Sequence, residues 1–187
     1  MDELFILKEK KILKRAFIFW DHITILQVLQ ELNIRFDYHL VKSRLSRGYD
    51  LVSPLMYLGN KKAEFSINQK VLDSLVKQGW FIIETPLKTK SSRNESQNET
   101  DDIMLLDIYD FAKEGAYEKA IIVSGDNDFV EIVKELKKMD IDVEVWSFRI
   151  SISERLINEL NSENVYYFDD FMEEITILDY SQDEELK

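Results

Sequence analysis

The stretch IIVSGDNDFVEIVKEL, residues Ile121 to Leu136, sets a short apolar run against a tight polar turn and then the spacing of an amphipathic helix. A strand that feeds a helix through Ser-Gly-Asp predicts the βα junction of an α/β sheet. Its two carboxylates, Asp126 and Asp128, exceed what a helix start requires, because a single Asp satisfies the free N–H groups of a first turn as an N-cap.

Working outward, the same alternation recurs. RAFIFWD, ending at Asp21, is a continuous apolar run suited to a strand buried on both faces. ITILQVLQELN has helical spacing through Ile25, Leu26, Leu29 and Leu32, and DYHLVKSRLSRG predicts a helix starting near Asp37 and closing at Gly48. SPLMYLG reads as a strand after Pro54. SINQKVLDSLVKQG reads as a helix with Ser66 as N-cap and Gly79 at its end, and WFIIE as the next strand. DDIMLLDIYDFAKEG predicts a helix opened by Asp101 and Asp102. KAIIVSG, DNDFVEIVKELKKM, DVEVWSF, SERLINELN and NVYYFDD then continue strand, helix, strand, helix, strand. Such alternation implies right-handed βαβ crossovers and a mostly parallel sheet with helices on both faces. The expected fold is α/β, Rossmann-like and doubly wound: one domain over residues 1–170, with an acidic C-terminal tail over 171–187. KTKSSRNESQNET, residues 88–100, lacks apolar residues and is expected to be a mobile loop.

Composition narrows the chemistry. The 187 residues are 45% hydrophobic and 12% aromatic, enough for one sizeable core. No run approaches the roughly 18 apolar residues of a membrane span, and the charged start predicts no secretory leader, so a cytoplasmic protein is expected. With no Cys and only His22 and His39, a bound metal would be held mainly by oxygen, which favours magnesium or manganese. The net charge is −12; from Asp169 onward eight acids and one Lys give −7, leaving −5 for the rest. Basic residues gather as Lys8, Lys10, Lys11, Lys14, Arg15 and as Arg35, Lys42, Arg44, Arg47, a pattern that solvated helix faces also produce. No G-x-G-x-x-G or P-loop follows any strand.

Ligands of doubly wound sheets bind at the carboxyl ends of strands, where strand order reverses. Asp21, the pair Asp101 and Asp102, and the pair Asp126 and Asp128 would all reach that edge. Grouped carboxylates repel one another unless a cation lies among them, and a divalent ion is the usual solution. Plainer roles exist for each: Asp101 or Asp102 as an N-cap, Asp128 as a first-turn dipole acid. Asp107 lies about 240° around a regular helix from Asp101, so either Asp101 precedes the helix or only one of them is a direct ligand.

These segments in this order, with Asp101, Asp107 and the run Ser124, Gly125, Asp126, Asp128, Phe129 in ungapped register, resemble an NYN domain, a branch of the PIN-like ribonuclease superfamily, over about residues 15 to 170. The resemblance implies a metal-dependent ribonuclease using magnesium or manganese, with Asp21, Asp101 and Asp126 as principal catalytic ligands and Asp102, Asp107 and Asp128 as auxiliary acids. Ser124 belongs to the motif. Thr24 stands where the family usually has Asn, and His22 is expected either as a phosphate contact or leaving-group acid or as a polar residue at the sheet edge. Lys88, Lys90 and Arg93, with Arg44 and Arg47, are the expected nucleic-acid contacts, and single-stranded RNA the expected partner. Trp20, Tyr38 and Tyr57 would either stack on bases or fill the core. Thr24, the acidic tail and the negative charge also fit a non-catalytic NYN-fold module that binds RNA or protein. A second copy of the chain as partner stays open. Within the tail, FMEEITIL has the apolar residues to dock as a terminal helix or strand.

Overall fold

The structure is a computed structural model and describes residues 12–59, 69–84 and 95–177. Six strands, β1 (Arg15–Asp21), β2 (Asp50–Leu58), β3 (Phe81–Glu84), β4 (Lys119–Val123), β5 (Asp142–Ser147) and β6 (Val165–Tyr167), form one sheet in the order β3-β2-β1-β4-β5-β6. Every neighbouring pair is parallel. The helices are α1 (His22–Glu31), α2 (Tyr38–Leu45), α3 (Gln69–Lys77), α4 (Glu95–Lys113), α5 (Val130–Lys138), α6 (Glu154–Leu160) and α7 (Met172–Ile175).

The apolar runs are continuous because both faces of the sheet are covered. Successive side chains of a strand point to opposite faces, so Phe17 and Phe19 of β1 enter one core while Ala16, Ile18 and Trp20 enter the other. In β4, Ala120 and Ile122 join the first core and Ile121 and Val123 the second. The first is closed by Met104 and Ile108 of α4, Val133 and Leu136 of α5, and Leu156 of α6. The second is closed by Ile25 and Leu29 of α1, Val41 of α2, Leu75 of α3 and Ile175 of α7. Strand order reverses between β1 and β4, so the ends of these two strands meet at the switch point.

Three expectations need correction. β2 begins at Asp50, ahead of Pro54, which lies inside the strand opposite Ile18. β3 pairs only from Leu55, so β2 is an edge up to Pro54, where a missing N–H costs no ladder bond. Helix α2 stops at Leu45, and Gly48 instead serves the following turn at φ 92°. Helix α4 starts at Glu95, not at Asp101, so residues 95–100 of the segment expected as a loop are helical. Lys88, Lys90 and Arg93, like Ser66, lie outside the described residues.

The first part of FMEEITIL docks. Ile175 is buried, the backbone N–H groups of Asp37 and Ile177 donate to the carbonyls of Ile175 (2.8 Å) and Arg35 (2.9 Å), and Phe36 pairs with Thr176 in an antiparallel bridge. Among the described residues no helix is long and apolar enough to cross a membrane.

Candidate metal centre

Asp21 ends β1 and caps α1 at once. One carboxylate oxygen accepts from the backbone N–H of Thr24 at 3.3 Å, and the other accepts the Ser124 hydroxyl at 3.0 Å. Thr24 also offers its side-chain hydroxyl to Asp21. Burial pushes the Asp21 carboxyl up; these hydrogen bonds oppose the shift, and nearby Asp126 adds to it.

Ser124 passes this contact to the loop after β4, since its Oγ also accepts from the backbone N–H of Asp126 at 3.2 Å. Gly125 is required by close approach: a Cβ there would lie 2.3 Å from the Ser151 carbonyl oxygen and 2.7 Å from Ser147 Oγ. The Gly125 carbonyl meanwhile accepts from Ser153 N–H at 2.9 Å, tying the turn to the connection between β5 and α6. Asp126 then caps a single 3-10 turn, Asn127–Phe129, by accepting from Asp128 N–H at 3.0 Å. Phe129 is fully buried and anchors the turn.

Asp101 comes from the facing helix α4 and is 5% exposed. Carboxylate oxygens of Asp101, Asp126 and Asp128 all lie within 4.8 Å of one another. The Asp101 carboxyl is pushed up to about 8, first by burial and then by the negative neighbours Asp21, Asp126, Asp128 and Asp102. Among the described residues no Lys or Arg forms an ion pair with any of the three. An all-oxygen donor set that is short of positive charge suits a hard divalent cation. A carboxylate cluster is the fit the sequence anticipated: Asp101, Asp126 and Asp128 converge, and Asp21, joined to the turn through Ser124, is the negative neighbour that acts most strongly on Asp101.

Other expected site residues fall elsewhere. Asp107 accepts the Tyr57 hydroxyl at 2.9 Å and fastens α4 to β2, so of the two helix acids only Asp101 faces the cluster. Asp102 is exposed. His22 is buried rather than placed at an open sheet edge; neither ring nitrogen has a hydrogen-bond partner, and burial lowers its pKa to about 4. A neutral, enclosed imidazole is a poor phosphate contact. Arg44 stacks over the Phe171 ring at 3.7 Å and pairs with Glu174 at 3.7 Å. It and Arg47 lie at the end of α2 that leads into the start of β2, the sheet edge opposite the acids. Trp20 and Tyr57 are core residues, and Tyr38 packs edge-on against Trp20 at 5.8 Å.

The sequence reading missed a cavity of about 320 Å³ beside Asp126, lined also by Thr24, Gln27, Val28, Glu31, Ile150 and Ser151. A signal existed: Thr24, Gln27 and Glu31 follow i, i+3, i+7 spacing, which puts them on one face of α1. Ser151 could not have been found, because the chain brings it there from the far end of β5.

The six-stranded parallel sheet with an acidic cluster at its switch point defines a doubly wound α/β protein with a candidate cation site at the carboxyl ends of its strands. The chain belongs to the NYN domain family, whose profile matches residues 15–168. A crystal structure of a protein of unknown function from Vibrio parahaemolyticus RIMD 2210633 is similar in fold, with a TM-score of 0.72 at 18% identity, covering 90% of this chain and 99% of that one. No curated protein matches the sequence.

Proposed function

We propose that the protein is a ribonuclease that hydrolyses single-stranded RNA with magnesium or manganese held by Asp101, Asp126 and Asp128. The observation that carries this reading is the convergence of three carboxylates within 4.8 Å at the sheet's switch point, one of them buried, with no paired cation among the described residues. Membership of the NYN family supports the substrate class. A bound divalent ion supplies an activated water and offsets charge developing on the phosphate.

The chain's own residues do the positioning. The Asp21–Ser124 hydrogen bond fixes the end of β1 against the turn after β4, and Gly125 lets that turn pass close to Ser151, which directs Asp126 toward α4. The Asp107–Tyr57 hydrogen bond holds α4 against β2, so that Asp101 faces the turn. Thr24 takes the place of the family's usual Asn by donating both N–H and hydroxyl to Asp21, an orienting role that keeps this acid ionisable. The expected location is the cytoplasm.

The test is cleavage of end-labelled single-stranded RNA with manganese, magnesium or chelator, beside Asp126→Asn. Metal-dependent cutting that falls by roughly a hundred-fold or more in the variant supports the proposal. RNA binding that persists with no turnover under any metal assigns the fold to a binding module instead.

A further inference from the structure

The cavity beside Asp126 has a lining unlike that of a phosphate site. Gln27 and Glu31 present an amide and a carboxylate from one face of α1, and Asp126 supplies a carboxylate from the turn after β4. Among the described residues no Lys or Arg lines it, so two acids would repel a phosphate group. Apolar surface comes from Val28, which is buried, and from Ile150, which is 71% exposed and so leaves an apolar face open to solvent at the rim. About 320 Å³ is at the lower end of small-ligand sites and suits one nucleoside unit.

Because Asp126 belongs both to this cavity and to the acidic cluster, a group held here sits next to the reacting phosphate. We infer that the cavity is a base-selective subsite, which takes the nucleobase adjacent to the scissile bond and prefers bases bearing an exocyclic amino group over uracil. This inference rests on the ribonuclease reading for its substrate class. Its chemical logic is donor and acceptor matching. Glu31 and Asp126 only accept hydrogen bonds when ionised, and Gln27 has one acceptor oxygen as well as two donors. The N4 amino group of cytosine is matched by a carboxylate, and the N6 and N7 edge of adenine by a glutamine amide. Uracil presents carbonyl oxygens where those bases present amino groups. Its single N3–H can serve only one of the two carboxylates that an amino group's two hydrogens can bridge, and its O4 must turn to Gln27, the one donor among these three side chains. Val28 and Ile150 supply apolar contact for the flat ring, and a base can reach them because single-stranded RNA allows bases to splay out.

The experiment compares oligoadenylate, oligocytidylate and oligouridylate pentamers on the full chain, with manganese for cleavage and with chelator for equilibrium binding. Wild type is set beside Gln27→Ala and Glu31→Ala. Alanine on α1 preserves helix propensity, and Gln27 and Glu31 are not fully buried, so both variants fold. The readout is the ratio of adenylate or cytidylate to uridylate, not the absolute rate, because deleting Glu31 also weakens repulsion of every phosphate backbone equally. A preference for amino-bearing bases that falls about ten-fold in either variant supports the subsite. Metal-dependent cleavage with equal ratios in wild type and variants overturns the subsite and leaves the nuclease standing. No cleavage, with a binding preference that the variants lose, overturns the nuclease and keeps the subsite. Neither cleavage nor preference overturns both.

Discussion

The two ends of this sheet both bury acids, and they treat them in opposite ways. At the start of the strands, Glu144 is enclosed with Lys119 at 2.9 Å, and it also accepts the Tyr49 hydroxyl and the Trp146 indole N–H. The Lys119 ammonium lies over the Tyr49 ring as well. At the finish of the strands, Asp21 and Asp101 are as deeply buried, but their partners are neutral donors or other acids. Among the described residues, a buried carboxylate is neutralised by a cation at one edge and not at the other. The first edge is completed by the chain itself, and the second has the all-acid donor set that the proposed metal centre requires.

Opposite responses to charge removal are the strongest way to break this contrast. Lys119→Met strips the paired cation from a buried acid and should cost about 3–5 kcal/mol in urea unfolding. Asp101→Asn removes an acid from a repelling group and should raise stability in chelator, on the order of 1 kcal/mol or more near pH 7.5. Equal destabilisation by both would erase the distinction between the edges.

A pH series without metal sharpens the same point. The Asp101 carboxyl titrates near 3.8 in the unfolded chain and at about 8 in the fold. Between these values folding takes up a proton, so this contribution is fully present below about 3.8 and is lost as pH rises toward 8. Thermal melting in chelator should therefore fall from pH 5 to 8, with a slope of at most about 1.4 kcal/mol per unit from this group. The slope should shrink by this share in Asp101→Asn, leaving that of the similarly raised Asp21, and flatten when manganese replaces the proton. A flat wild-type profile in chelator would remove the electrostatic argument.

How much of this could be read beforehand depended on which force fixed each residue. Apolar runs such as RAFIFWD and KAIIV are decided by burial on two faces, which is a property of the run itself, so the doubly wound sheet was legible. Asp21 and Asp126 were legible because strand ends at the switch point converge in any such sheet. Asp128, expected as an auxiliary acid, is brought to the cluster by a tight 3-10 turn that Asp126 caps. The helical start of α4 was hidden by polarity, since Glu95–Thr100 has no apolar stripe. His22 and Arg44 show the limit of local reading. Their roles are set by Tyr38 and by Phe171 and Glu174, contacts that no spacing along the chain reveals.

The smallest expected effect concerns how α4 is held. Tyr57→Phe deletes the hydroxyl donated to Asp107 and should cost about 1 kcal/mol in stability. Because the hydrogen bond lies away from the cluster, manganese affinity should weaken only slightly. A larger loss of affinity than of stability would make Asp107 part of the centre after all.

Calorimetric titration of manganese into wild type and Asp126→Asn, with melting curves of both in chelator, tests the central claim most directly. Wild type should bind the ion and melt higher with it. The variant should bind far more weakly and yet be at least as stable in chelator, because Asn keeps the capping oxygen and removes one repelling charge. Wild type without manganese binding, or a metal-free variant destabilised by several kcal/mol, would contradict the assignment of these acids to a metal centre.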